Sequence, residues 1–151
     1  MTDRSRTTPI NVLLVEDSPS DQELTREAFA SAKVLNDLYV VDNGMDALDY
    51  VFKRNAFASA TRPDIILLDL NLPGMDGREV LGHIKSDPEL RMIPVIVLTT
   101  SDDEHDILRM YDLHANCYIT KPVDFRKFVE AIKVLEDFWM VLVKLPGGRF
   151  D

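Results

Sequence analysis

Glu16, Asp17, Asp69, Thr99 and Lys121 are the residues of this chain whose types suit work on a phosphoryl group. A carboxylate can attack phosphorus and form an acyl phosphate, the carboxylate form of covalent catalysis. A hydroxyl and an ammonium group are the kinds of donor that stabilise charge spread over the transferring oxygens. Each of these residues terminates an apolar run: Val12 to Val15 leads into Glu16-Asp17, Ile65 to Leu68 into Asp69, Val95 to Leu98 into Thr99, and Tyr118 to Thr120 into Lys121. Three acids brought to one place repel by roughly 4 kcal/mol per pair at about 4 Å and an effective dielectric near 20. Such a cluster calls for a cation. Mg2+ fits, because it takes hard oxygen ligands from one or two carboxylates and keeps room for waters and a phosphoryl oxygen. Asn71, two residues beyond Asp69, could add its backbone carbonyl. Asp69 is the best placed acceptor.

The elements that must position these residues follow from periodicity. Strand-length apolar runs alternate with helix-periodic stretches, the pattern of βαβ units on a parallel sheet. Strands are predicted at 11–16, 38–42, 64–69, 94–99 and 116–120. The runs at 65–68 and 95–98 lack a polar alternate face, as inner strands covered on both sides do. Helices are predicted at 19–32, 45–54, 77–86, 103–112 and 125–142, the first opened by Ser18 as N-cap and Pro19 in its first turn. In an open α/β sheet ligands bind outside the carboxyl ends of the strands, so the five chemically capable residues should share one crevice.

Size and charge narrow the function. With 151 residues the chain matches one compact domain. Its net charge of -9 sets it against phosphate backbones and anionic lipid, so no nucleic acid and no membrane partner is expected. The apolar runs are too short to span a bilayer, and Thr2 to Thr8 lacks the apolar stretch of a secretion signal. Cys117 is the sole cysteine, which precludes an intramolecular disulfide and suits a cytoplasmic location. It reads as a structural thiol. His83, His105 and His114 fall on different elements and read as surface residues.

Taken together, Val15-Glu16-Asp17, Asp69-Leu70-Asn71-Leu72-Pro73-Gly74-Met75-Asp76-Gly77, Leu98-Thr99-Thr100 and Tyr118-Ile119-Thr120-Lys121-Pro122 resemble the receiver domain of bacterial two-component response regulators. Asn43-Gly44 with Ala47-Leu48 adds a weaker fifth match. The resemblance covers nearly the whole chain. It implies a flavodoxin-like, doubly wound parallel sheet of order 2-1-3-4-5. It further implies that Glu16 and Asp17 position Mg2+, Asp69 accepts the phosphoryl group, Thr99 is the switch hydroxyl, Lys121 binds the phosphoryl oxygens and Tyr118 is the switch aromatic. Lys121-Pro122 resembles the family's cis peptide, which only X-Pro bonds adopt cheaply. Thr100 departs from the smaller residue many receivers carry there and would narrow access to Asp69.

On this basis residues 1–9 are expected to form a disordered tail, 10–145 a receiver domain with an extended last helix, and 146–151 a mobile tail. The segments Tyr111 to Tyr118, Phe138-Trp139 and Leu145-Pro146 resemble the single-domain regulators paired with cyanobacterial and bacterial phytochromes, implying a phytochrome-type sensor histidine kinase as partner. Phe138, Trp139 and Leu142 lie where the last helix outruns the sheet, and a homodimer through them is expected. The expected chemistry is confined to the protein's own phosphorylation and dephosphorylation. Two alternatives stand beside this reading: a haloacid-dehalogenase-type phosphatase, whose second acid would fall where this chain has Asn71, and a receiver-shaped binding module that is never phosphorylated. A flavodoxin-like cofactor carrier fits less well, since Glu16-Asp17-Ser18-Pro19-Ser20-Asp21 would repel a cofactor phosphate.

Overall fold

In the computed structural model the described residues are 9–32, 35–99, 114, 115, 117–120, 126, 129, 130, 133 and 134. The chain runs β1 (Ile10–Val15), α1 (Pro19–Ala30), β2 (Asn36–Val41), α2 (Gly44–Val51), a 3-10 turn (Asn55–Phe57), β3 (Ile65–Asp69), α3 (Gly77–Ser86), a second 3-10 turn (Leu90–Met92), β4 (Val95–Thr99) and β5 (Cys117–Thr120). The strands form one sheet in the order β2-β1-β3-β4-β5, every pair parallel. That is the predicted order. The reversal between β1 and β3 is the topological switch point at which this kind of sheet opens a crevice.

The inner strands alternate between two cores. Leu13, Val15, Ile66, Leu68, Val95 and Val97 face the layer that holds α2 and α3, whereas Val12, Leu14, Ile65, Leu67, Ile96 and Leu98 face Ala28 and Phe29 of α1. All twelve are buried, because a parallel sheet has helices on both faces. Each such side chain contributes about 1.5–3 kcal/mol through removal from water, so the sheet is a rigid base for whatever its edge carries.

Caps set the helix starts. Ser18 Oγ accepts from the Asp21 N–H at 3.3 Å with Pro19 following, as the sequence predicts. Asn43 Oδ1 accepts from the Asp46 N–H at 2.8 Å and opens α2, and Asp76 Oδ1 accepts from the Arg78 N–H at 2.7 Å and opens α3. Ends differ more from expectation. The first helix stops at Ala30, where the Ser31 hydroxyl donates to the Glu27 and Ala28 carbonyls. The second stops at Val51 rather than 54, since Lys53 turns to a φ of 55° and Asn55 to 53°. Strand β2 begins two residues earlier than its apolar run, at Asn36. The predicted helix at 103–112 lies outside the described residues; of that at 125–142, residues 126, 129, 130, 133 and 134 are helical.

Beside β2, Tyr50 packs between Tyr39 and Phe57 with tilted rings, their centroids 6.1 and 5.6 Å away. Burial and the neighbouring Tyr39 push its phenol up to about 12. No helix among the described residues is long and apolar enough to cross a membrane.

Candidate functional site

Three carboxylates meet at the carboxyl edge of the sheet. Strand β1 ends at Val15, so Glu16 and Asp17 fall in the turn that leads to the α1 cap, and Asp69 is the last residue of β3. Because β1 and β3 are neighbours with Val15 opposite Leu68, the turn and the strand end share one corner. Carboxylate oxygens of Glu16, Asp17 and Asp69 lie within 4.8 Å of one another. Glu16 and Asp69 are 0% and 2% exposed, whereas Asp17 is exposed. The corner therefore pairs two sequestered acids with one that solvent reaches.

Both buried acids are held through their main chain. The Glu16 N–H donates to the Val41 carbonyl at 3.0 Å, one rung beyond the strand. Its carbonyl accepts from Gln22 Nε2 at 2.6 Å, and Oε2 accepts from the Ser18 N–H at 3.3 Å. Asp69 Oδ1 accepts from the Asn71 N–H at 3.0 Å. Beyond it, the Leu70 N–H donates to the Leu98 carbonyl at 3.0 Å, and the Gly77 N–H donates to that of Leu70 at 3.1 Å. Gly77 is there because nothing larger fits. A Cβ at this position would press on the Asp69 carbonyl oxygen and sit 2.6 Å from Leu70 Cα. Gly44 is a second close approach, where a Cβ would lie 2.9 Å from Val80 Cγ2 and 3.0 Å from Met75 Cβ.

The donor set decides what the corner can hold. Three oxygen ligands with no sulfur or imidazole favour a hard divalent cation of the Mg2+, Mn2+ or Ca2+ kind over zinc or copper. Like charges so close in a partly desolvated corner are unfavourable without one. The residues fit a cation of that class. Thr99 ends β4 opposite Thr120, which ends β5, so their backbones reach the same edge, while Tyr118 lies two residues back, opposite Val97. Lys121, Pro122, Thr100, Phe138, Trp139 and Leu142 lie outside the described residues. Asn71 is exposed beside the acids. His83 and His114 are exposed, on α3 and in the turn before β5.

Sequence reasoning missed Gln22, and it placed Gly77 without the reason for it. Gln22 left one sign, its place as fourth residue of a capped helix, from which side chains lean back towards the N-terminus. The reason for Gly77 left none, since crowding against a strand end is a tertiary fact.

Comparison with known proteins agrees with the geometry. A family model described as response regulator receiver domain matches residues 12–133. Response regulator Rcp1 of Synechocystis sp. is 41% identical over 140 residues, 93% of this chain and 95% of its own length. The crystal structure of a phosphorylated cyanobacterial phytochrome response regulator, RcpA, superposes with a TM-score of 0.81 at 48% identity, covering 88% of this chain and 95% of that one. The Mn2+-bound form of Rcp1 gives 0.80 at 41% identity, with 91% and 99% covered.

Proposed function

The chain belongs to the response regulator receiver domain family, and from that premise we propose that it accepts a phosphoryl group on Asp69 in a Mg2+-dependent reaction and signals through protein contacts. The observation that carries this is the meeting of the Glu16, Asp17 and Asp69 carboxylates at the switch point of the sheet. The similarity to a cyanobacterial phytochrome response regulator and a bacteriophytochrome response regulator supports a phytochrome-type sensor histidine kinase as donor. The receiver unit is read as residues 10–145, working in the cytoplasm, with the remainder as tails.

The Asn71 N–H holds Oδ1 of Asp69 and so orients the carboxylate. One Asp69 oxygen attacks the phosphorus of the kinase phosphohistidine. The P–O bond forms as the P–N bond breaks, and the imidazole nitrogen leaves with the electron pair. Glu16, Asp17, Asp69 and the Asn71 carbonyl would hold the cation, which when bound supplies positive charge against the acids and the phosphoryl oxygens. The Lys121 ammonium pairs with the same oxygens, and the Thr99 hydroxyl donates to them once the acyl phosphate exists. Tyr118 then turns inward, the Lys121-Pro122 peptide, cis in this reading, shapes the loop, and the new surface favours homodimer contacts through Phe138, Trp139 and Leu142. This is a population shift, in which phosphate favours the conformation that offers it most partners. Attack by water reverses it, and these two reactions on itself are the protein's only chemistry. A haloacid-dehalogenase-type activity is disfavoured, because Asn71 occupies the place of the second acid.

Incubation with acetyl phosphate and Mg2+ followed by intact mass measurement tests the central step. Wild type should gain one phosphoryl mass and Asp69→Asn none; equal labelling of both would sink the proposal.

A further inference from the structure

We infer that Gln22 is a positioning residue for the cation corner: its side-chain amide fixes the main chain of Glu16 and thereby aims the buried Glu16 carboxylate at the metal. This rests on the reading of Glu16 as a metal ligand.

Glu16 has just left the β1 ladder, and its N–H still donates to the Val41 carbonyl. Its carbonyl points at α1, where Gln22 Nε2 meets it at 2.6 Å. Gln22 is itself anchored. Its N–H donates to the Ser18 carbonyl at 2.9 Å, and Ser18 caps the helix and lends its own N–H to Glu16 Oε2. The segment 16–22 thus closes on itself, tying the helix start to the ligand at both the carbonyl and the carboxylate.

The consequence concerns metal affinity. Mg2+ demands near-ideal octahedral geometry, so a ligand that must be re-aimed on binding lowers affinity, while a pre-aimed one does not. Glu16 is fully buried, so the position of its backbone, together with the Ser18 N–H on Oε2, helps to set where its carboxylate points. Without the Gln22 amide the Glu16 carbonyl loses this donor, and the turn gains freedom that binding must remove. One hydrogen bond of ordinary strength corresponds to about a fivefold change in affinity.

The test uses the full chain and three variants: Gln22→Met, which keeps length and helix propensity but has no donor; Gln22→Asn, which is one methylene shorter and takes over if the first does not fold; and Arg26→Met. Arg26 lies one turn further along α1 and lines the same cavity beside Val41 and Asp42. Calorimetry gives the Mg2+ Kd of the unphosphorylated protein, acetyl phosphate labelling is followed against Mg2+ concentration, and urea unfolding is run in EDTA. Gln22→Met should raise the Kd about fivefold, move the half-saturating Mg2+ by the same factor, and leave the labelling rate at saturating Mg2+ within twofold of wild type. Arg26→Met should not raise the Kd. An unchanged Kd in the glutamine variants, even with a lowered urea midpoint, would reduce Gln22 to a stabiliser of the turn and overturn the inference. A wild type that binds no Mg2+ overturns the functional reading itself, and with it this role.

Discussion

The two ends of the sheet treat charge in opposite ways. At the amino end, charged side chains answer backbone groups. Asp64 Oδ2 accepts from the Asn11 N–H at 2.8 Å while the Asp64 N–H donates to the Asn11 carbonyl at 2.7 Å, a reciprocal clamp across β1 and β3. Asp87 Oδ1 accepts from the Glu89 and Leu90 N–H groups at 2.9 and 3.0 Å. Lys85 Nζ donates to the Arg91 and Ile93 carbonyls at 3.1 and 2.7 Å, and Arg62 donates to the Glu89 carbonyl at 2.9 Å. At the carboxyl end, three acids of one sign sit within 4.8 Å, two of them buried. One end is arranged to hold the fold, the other to be completed by a ligand.

The largest expected effect is that of cation binding. A ligand that binds only the folded state stabilises by about 2.7 kcal/mol at a hundredfold excess over its Kd. Mg2+ should raise the urea midpoint of wild type accordingly, and Asp17→Asn together with Asp69→Asn should abolish the gain. If the double variant responds to Mg2+ as wild type does, the acids at the carboxyl end are not the site.

Next comes a pair of substitutions with opposite signs. In EDTA, Asp17→Asn removes one of three crowded charges and should leave stability unchanged or raise it. Asp64→Ala breaks the amino-end clamp and should cost about 1 kcal/mol, the net worth of an ordinary hydrogen bond at a part-buried site. Chemical denaturation of the two variants side by side checks both. A loss of equal size from each would erase the contrast between the ends.

The carboxyl-end half of this contrast was legible before any coordinates; the amino-end contacts were not. Strand ends can be read from where apolar runs stop, and the open parallel sheet then dictates that Glu16, Asp17 and Asp69 share an edge. The strand order came with the family resemblance, and the start of α1 followed from local chemistry, namely Ser18 as cap with Pro19 behind it; the Asn43 and Asp76 caps emerged only with the structure. Helix ends were harder. Nothing about a lysine announces the left-handed turn at Lys53 that stops α2. The polar start of β2 was invisible because Asn36 and Asp37 carry no apolar signal; they join the strand by pairing with Ile10 and Asn11. Gln22 and Gly77 depend on which element lands where, information that periodicity does not carry.

The smallest effect lies back at the amino end and sharpens the comparison through pH. Burial lowers the Lys85 pKa from its ordinary 10.5, since its ammonium is half-buried and answered only by carbonyl dipoles. With a depressed folded-state value, the unfolded chain binds more protons between that value and 10.5, so stability rises with pH through this window and the Lys85 share is lost as pH falls through the folded value. Tyr50, raised to about 12, works in the reverse sense and lowers stability between pH 10 and 12. Urea midpoints measured from pH 8 to 10 avoid most of the tyrosine window. Over that range wild type should gain on Lys85→Met as pH rises, by a fraction of the bond loss that separates them at neutral pH. A difference that stays flat with pH would mean that the two carbonyls fully replace the hydration of the ammonium, making the amino end even more completely satisfied than the acid corner opposite.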